Sequence, residues 1–342
     1  MTIRGFLLGK FLPPHAGHLF MCKTAMRLCD ELTVLVCTLD REPIDGRLRH
    51  AWMKQLLPGA RVIHFDQDVP QEPADHPDFW EIWRNICLDA HPEPVDAVFG
   101  SEPYVMRLAQ ELGARPVVID PERLAFPVSG TAIRENPYAH WNMVPGPVRF
   151  HYQKRIVLTG AESTGKSTLA RQLARHFDTL HVPEYGRTYD AFRTGEWTAG
   201  SFAEIEAGHS AMREALAPEA GPILIEDTDE LSTRVWETAL NGTVPTRARP
   251  SHLADLYLVL ATDLPWQDDG TRYMAETAFR EQFQSSLISE LSTAGVAWQE
   301  IRGLGDARLA AAVCAINSAF PAFAATNEKP ASQPAGFRSG IS

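Results

Sequence analysis

Residues 160–168 read "GAESTGKST", a complete GxxxxGK[ST] run. The apolar stretch "RIVLT" precedes it, and "KSTLARQL" follows with apolar residues at helical spacing. This context dictates a buried strand, a tight turn and a helix, because only that arrangement aims successive backbone N–H groups and a helix N-terminus at one point. A merely flexible glycine-rich turn would need neither flanking element in register. The run therefore predicts a phosphate cradle. Gly160, Glu162, Ser163, Thr164, Gly165 and Thr168 supply backbone around the phosphates. Lys166 reaches the β- and γ-phosphates, and Ser167 carries the hydroxyl expected to ligate Mg²⁺.

About 150 residues earlier, "GKFLPPHAGH" (9–18) builds a different anion site. "GFLLGKF" is mostly apolar, as a strand buried on both faces should be. Pro13 and Pro14 turn the chain, and His15 and His18, three apart, share one face at a helix start. Gly17 admits close approach to the backbone. Lys10 adds a charge, with Gly9 and Phe11 flanking it at the strand end. A lone HxxH in a surface turn is the alternative reading, which the strand before it and the helix after it disfavour. "FPVSGTAIRENP" (126–137) places Ser129, Thr131 and Arg134 at another helix start, a second clamp of hydroxyls and a guanidinium; alone it would read as a capping serine and a surface arginine.

The chain has 342 residues, enough for two domains. Further strands are expected at 32–39, 61–65, 97–101 and 115–120, with helices at 18–29, 45–57 and 79–90 and another ending at Gly113, a suitable C-cap. Strands alternating with helices imply parallel βαβ units. "NPYAHWNMVPGPVRFH" (136–151) interrupts the pattern as a junction, after which strands are expected at 154–160, 221–227, 256–262 and 297–301, with a closing helix at 307–320. The expectation is an α/β chain of two domains with parallel sheets, residues 1–148 and 149–323, and a disordered tail at 324–342. A formal net charge of −11 argues against a general nucleic-acid binder. Five cysteines, an odd number without CxxC spacing, fit reduced thiols, and no run approaches a membrane span, so a cytoplasmic location is expected. The sequence permits a homo-oligomer without requiring one.

The second half offers more polar candidates. "ILIED" ends in Asp227, where a magnesium-associated carboxylate is expected, and Asp229 reads as a substrate ligand or as the cap of the next helix. In "VPEYGRTY", Glu184 could accept a proton from an attacking hydroxyl, and Arg187 could bind phosphate or pair with an acid. In "LATDLPWQDDGTR", Trp266 could stack on a ring and Asp269 hold ribose hydroxyls, with Arg272 beside them; Asp268 competes with Asp269 for that role, and a loop around a buried Trp is the plainer alternative.

Together, HxGH and SxTxxR resemble the signatures of the nucleotidyltransferase superfamily, in its nicotinamide mononucleotide adenylyltransferase branch. "EYGR", "DTD" and "PWxxDGxR" behind the phosphate loop resemble the ribosylnicotinamide kinase domain of the bifunctional NadR family, and the likeness runs from Gly5 to about Phe320. It implies a Rossmann-like nucleotidyltransferase domain followed by a P-loop kinase domain. The kinase would phosphorylate ribosylnicotinamide with ATP and Mg²⁺ to the mononucleotide (NMN), which the first domain would adenylylate with a second ATP to NAD and pyrophosphate. The resemblance further implies that Ser101 and Glu102 of "GSEPY" contact adenosine and that Trp80 and Trp83 stack on nicotinamide, whose cationic ring suits an indole face. Lys10, His15, His18 and Arg134 would stabilise the phosphates in the first domain; Lys166, Glu184 and Asp227 would act in the second. Some family members carry an N-terminal helix-turn-helix. Here the first strand begins within five residues of Met1, so no such domain and no DNA partner are expected. Two alternatives stand beside this reading: a two-domain enzyme of similar build with other substrates, and a nucleotide-sensing regulator with weak catalysis.

Overall fold

The computed structural model describes residues 2–267, 273 and 276–327. Asp268, Asp269 and Arg272, and residues 328–342 of the expected tail, lie outside them. The chain divides into two compact units, 1–151 and 152–342.

The N-terminal unit alternates β1 (Arg4–Gly9), α1 (Ala16–Leu28), β2 (Glu31–Cys37), α2 (Gly46–Leu56), β3 (Arg61–Phe65), α3 (Phe79–Ala90), β4 (Ala97–Gly100), α4 (Tyr104–Leu112) and β5 (Arg115–Val118), then α5 (Gly130–Glu135) and α6 (Gly146–Tyr152). Its sheet has the order β3-β2-β1-β4-β5, and every pairing is parallel. Successive residues of one strand serve opposite layers. Phe6, Leu35 and Val98 pack with Trp83 and Leu108 on one face; Leu7, Val34, Val36 and Phe99 pack with Met21 and Met53 on the other. A sheet covered on both faces explains the unbroken apolar strands of the sequence. Gly113 closes α4 in the left-handed conformation, φ 66°, where a side chain would be strained.

The C-terminal unit comprises β6 (Lys154–Thr159), α7 (Lys166–His176), β7 (His181–Val182), α8 (Tyr185–Phe192), α9 (Ala199–Leu216), β8 (Ile223–Asp227), α10 (Glu230–Asn241), β9 (Leu256–Leu260), α11 (Thr277–Ala294), β10 (Trp298–Ile301), α12 (Gly305–Ala319) and α13 (Pro321–Asn327). Its sheet is also parallel, in the order β10-β9-β6-β8-β7.

The junction read at 136–151 holds a 3₁₀ turn at Trp141–Met143 and most of α6, and the two units divide at its end. Two points of the sequence reading are corrected. The expected tail begins too early: α13 runs to Asn327, anchored by Phe323, which is 1% exposed and packs on Phe177. The sequence reading assigned no element to α9 or α11, both 18 residues long. Their inward faces include His209 and Arg213, and Arg280 and Gln284, so polar residues at core positions conceal the apolar period.

His209 and Arg213 belong to the fold's buried ion network. Glu226, wholly buried on β8, accepts from Arg155 at 2.6 and 3.2 Å and meets His209 at 3.1 Å. Arg213 stands 3.6 Å away and pairs with Glu230 at 2.7 Å. Burial pushes the Glu226 carboxyl up, but His209 and Arg155 outweigh it and hold the group at about 2. A carboxylate near 4.3 when unfolded and near 2 when folded stabilises fully above the first value, and its contribution is lost as pH falls through the second. Glu226→Gln strands buried cations and should cost the C-terminal unit about 3–5 kcal/mol. Hydrogen exchange of the β8 amides, read against urea at pH 7, measures this; an unchanged opening free energy would refute the assignment.

Candidate functional site

In the N-terminal unit, β1 pairs with β2 on one side and β4 on the other, so the crossovers leave on opposite sides and open a crevice at its C-terminal end. A cleft of about 850 Å³ occupies that position. Lys10, His15, His18, Trp80, Trp83, Ser101, Glu102, Ser129, Thr131 and Arg134 all line it, with Gly9 and Phe11. Two motifs more than a hundred residues apart in sequence thus meet in one cleft.

His15 is the N-cap of α1, its Nδ1 accepting from His18 N–H at 3.4 Å. The two rings stack with centroids 3.7 Å apart, and the Phe11 ring meets His18 edge-on at 5.0 Å. Burial, then the Arg123 charge, lowers His15 to about 4. Burial, then His15 and Arg123, lowers His18 well below its ordinary value. Both imidazoles are therefore neutral at pH 7 and present N–H groups without net charge. Gly17 lies against the His15 ring, where a Cβ would sit 3.2 Å from it.

The second clamp closes from α5. Ser129 caps that helix by accepting from Ala132 N–H at 3.1 Å. Arg134 donates to the Leu12 carbonyl and, at 3.0 Å, to Thr131 Oγ1. At Gly130 any Cβ would run into the Leu12 carbonyl oxygen, so glycine is what lets the two segments touch. Trp83 is a core residue at the cleft wall, its Nε1 donating to Pro70 O at 2.9 Å. Trp80 carries the Arg107 guanidinium 5.6 Å above its ring. Glu102 faces Arg123 at 3.8 Å.

In the C-terminal unit, the loop after β6 wraps as its glycines require. Gly160, Ser163 and Gly165 have φ of 142°, 59° and 85°. Lys166 Nζ donates to the carbonyls of Gly160 and Ala161, each at 3.0 Å, and Thr164 Oγ1 to Ala161 O at 2.9 Å. A cavity of about 310 Å³ is lined by Ser163 through Thr168 with Arg171 and Arg187. A second cavity adjoins it, and Ser163, Lys166 and Arg187 line both. Its far walls are Trp197, Phe202, Trp236 and Tyr273, and Glu184 and Asp190 supply carboxylates. Glu184 meets Arg187 at 3.4 Å.

Asp227 is 2% exposed at the end of β8, and its Oδ1 is buried without a hydrogen-bond partner among the described residues. Burial and then the Glu184 charge raise it to about 6, against the pull of Lys166, the Ser167 hydroxyl and Arg187. Asp229 does not serve the cleft. Its Oδ1 accepts from Ser232 N and Oγ, both at 3.0 Å, and its Oδ2 from Tyr257 Oη at 2.6 Å, so the capping role takes its whole carboxylate. Trp266 is not among the residues lining either cavity. No cluster of three or more His, Cys, Asp or Glu able to hold a metal occurs among the described residues.

Sequence reasoning missed the supports of this site. Gln284 accepts from Ala161 N–H at 3.0 Å, Arg280 donates to Glu162 O at 3.2 Å, and Arg308 donates to Thr164 O. The Glu162 carboxylate accepts from Tyr273 N–H at 2.9 and 3.0 Å. The aromatic wall was missed too: Trp197 stacks on Phe202 at 5.1 Å and meets Tyr273 edge-on at 6.4 Å. The cluster of aromatics in "GEWTAGSF" was the available signal.

A family model described as an AAA domain matches residues 155–308. The trifunctional NAD biosynthesis/regulator protein NadR of Salmonella typhimurium is 26% identical over 327 residues, covering 87% of this chain and 78% of that one. The nicotinamide-nucleotide adenylyltransferase of Methanoculleus marisnigri is 30% identical over 159 residues, 42% of this chain and 87% of that one. A crystal structure of NadR protein in complex with NR has the same fold, with a TM-score of 0.72 at 23% identity, over 93% of this chain and 96% of that one. No helix among the described residues is long and apolar enough to cross a membrane.

The histidine stack makes a direct prediction. An NMR titration of imidazole ring protons should place the His15 midpoint near 4 and keep His18 neutral well below the ordinary imidazole range. Midpoints near 6.5 for both, the value of a solvated imidazole, would mean that the rings stand in water.

Proposed function

The chain belongs to the NadR family and is a transferase of NAD biosynthesis, with a kinase role and an adenylyltransferase role; from this premise we propose that its C-terminal unit phosphorylates ribosylnicotinamide and its N-terminal unit adenylylates the resulting NMN. The observation that carries the reading is that each unit holds its own cleft at a strand–turn–helix motif, and that in the C-terminal unit Lys166 and Arg187 line both of two adjoining cavities, read here as phosphate cavity and acceptor pocket.

In the C-terminal unit the riboside 5′-oxygen attacks the γ-phosphorus of ATP, the bond to the β-γ bridging oxygen breaks, and ADP leaves with its electron pair. Glu184, in the lining of the acceptor pocket, takes the hydroxyl proton. Lys166 and Arg187 face the transferring phosphoryl group, where its charge spreads. The Tyr273 ring lines the pocket proposed for the cationic pyridinium, and Trp197 on the same wall already carries the Arg193 guanidinium 4.1 Å over its ring. The Ser167 hydroxyl beside the Asp227 carboxylate, whose buried Oδ1 has no hydrogen-bond partner among the described residues, suits Mg²⁺, and those two residues would hold it. When bound, the ion neutralises charge on the β- and γ-phosphate oxygens.

In the N-terminal unit an NMN phosphate oxygen attacks the α-phosphorus of a second ATP, and pyrophosphate leaves with the electrons of the broken bond. No side-chain nucleophile is needed. Lys10, His15, His18 and Arg134 bind and orient the phosphates, the neutral imidazoles donating hydrogen bonds without adding charge. Ser101 and Glu102 stand at the strand end proposed to receive adenosine, and Trp80 at the wall proposed for nicotinamide.

Mass spectrometry of products from the whole chain with ATP, Mg²⁺ and ribosylnicotinamide should show NMN and NAD. Lys166→Ala should abolish NMN formation while NMN supplied directly is still converted to NAD. His18→Ala should accumulate NMN, with NAD formation down by about 10²-fold or more. If either substitution disables both steps in a folded chain, the assignment of one reaction to each unit fails. A chain that turns over another nucleoside in preference to the riboside would favour the related enzyme with other substrates.

A further inference from the structure

Lys10 does not find its place in the cleft unaided. Its Nζ lies 3.2 Å from Glu42 Oε1. The other carboxylate oxygen, Oε2, accepts from Arg49 Nη2 at 2.6 Å and from Leu39 N–H at 3.0 Å. Arg49 returns to the lysine itself, Nη1 donating to the Lys10 carbonyl at 2.9 Å. The Arg49 side chain is wholly buried and that of Glu42 nearly so, whereas the Lys10 side chain is half exposed at the cleft wall. Arg49 comes from α2 and Glu42 from the loop before it, so the device is built by an element that contributes no residue to the cleft lining.

We propose that Glu42 is a positioning residue for Lys10, holding the ammonium against the cleft wall so that the charge meeting the triphosphate is in place before the nucleotide arrives. The proposal rests on the reading of Lys10 as a phosphate-binding group in adenylyl transfer. A bare carboxylate at a triphosphate site would repel its ligand. Here the buried guanidinium cancels that charge, and the three groups together present one net positive charge, carried on the exposed ammonium. A free lysine would lose its rotamer freedom at the moment of binding; one already tethered has lost much of it on folding. Burial raises the Glu42 carboxyl, but the Leu39 amide, Arg49 and Lys10 together bring it below its ordinary value, so the tether stays ionised at neutral pH.

The test is a double-mutant cycle on the whole chain, with NAD formation from NMN and ATP as the readout and thermal melting as the control for folding. Glu42→Gln should raise the KM for ATP by about tenfold with kcat nearly unchanged, the pattern of weakened binding rather than weakened chemistry. In a Lys10→Ala background the same substitution should change that KM by less than about twofold, because a residue that acts through Lys10 has nothing left to act on. An equal loss in both backgrounds, or tighter ATP binding by Glu42→Gln, would overturn the proposal. If Glu42→Gln does not fold, Glu42→Asp keeps the charge against Arg49 and shortens the reach to Lys10. It should show the same rise in KM, and an unchanged KM would overturn the proposal. Should Lys10→Ala alone leave NAD formation untouched, the underlying reading of Lys10 falls instead.

Discussion

A polyphosphate can be held by protein only where several unpaired donors converge without an opposing charge. In a parallel sheet that place is the C-terminal end of the strand from which crossovers depart to both sides. Both units obey this constraint. β1 lies between β2 and β4, and β6 between β8 and β9. Each central strand runs into a turn and then a helix whose N-terminus faces the crevice. The rest of each unit follows from keeping that turn in shape. In the N-terminal unit the HxGH turn is closed by Arg134 on the Leu12 carbonyl. In the C-terminal unit the loop is tied from behind by Gln284, Arg280 and Arg308.

The two turns meet the constraint with different chemistry. The loop at 160–165 relies on backbone, so it needs left-handed conformations at Gly160, Ser163 and Gly165, and a lysine that bonds carbonyls of its own loop. The turn at 11–15 relies on side chains. Its imidazoles stack and are buried, which removes their charge and leaves hydrogen-bond donors. Positive charge is supplied separately by Lys10 and Arg134, each held by a partner elsewhere in the unit. Donors and charges are thus adjustable independently in one site and fused into one loop in the other.

Legibility in the sequence followed the same division. Gly160–Thr168 and Gly9–His18 could be read because local chain geometry and local chemistry coincide in them: an apolar strand, a turn and a helix within about twenty residues. Ser129, Thr131 and Arg134 could be joined to them only by resemblance, since nothing local announces that Gly130 touches Leu12. Asp229 was ambiguous between ligand and cap, and the competition was settled by Tyr257, twenty-eight residues away. The supports were opaque. Arg280 and Gln284 are polar residues at buried helical positions, so they weaken the very periodicity that would have revealed α11, and Arg308 is buried in α12 with nothing local to mark its target. Glu42 and Arg49 carry no local signal, because they meet Lys10 only in the folded unit. Trp197 and Tyr273 come from separate loops and become a wall only in the fold.

Under the proposed assignment the two clefts must recognise the same pyridine riboside before and after it gains a phosphate. Aromatic surface cannot make that distinction, because both clefts have it: Trp197 and Tyr273 in one, Trp80 and Trp83 in the other. The charge around the 5′ position can. The acceptor pocket of the C-terminal unit sets Glu184 at its wall, and burial followed by the Glu184 charge raises Asp227. Such a wall accepts a neutral hydroxyl and takes its proton, with Lys166 and Arg187 beside it for the transferring phosphoryl group. The N-terminal cleft is lined by Lys10, Arg107, Arg123 and Arg134 against Glu72 and Glu102, with its histidines neutral. That balance attracts the monophosphate and gives the unphosphorylated riboside little to hold. A pocket with a base for the 5′-hydroxyl and a cleft with cations for the monophosphate give the sequence of steps a direction that requires no contact between the two units.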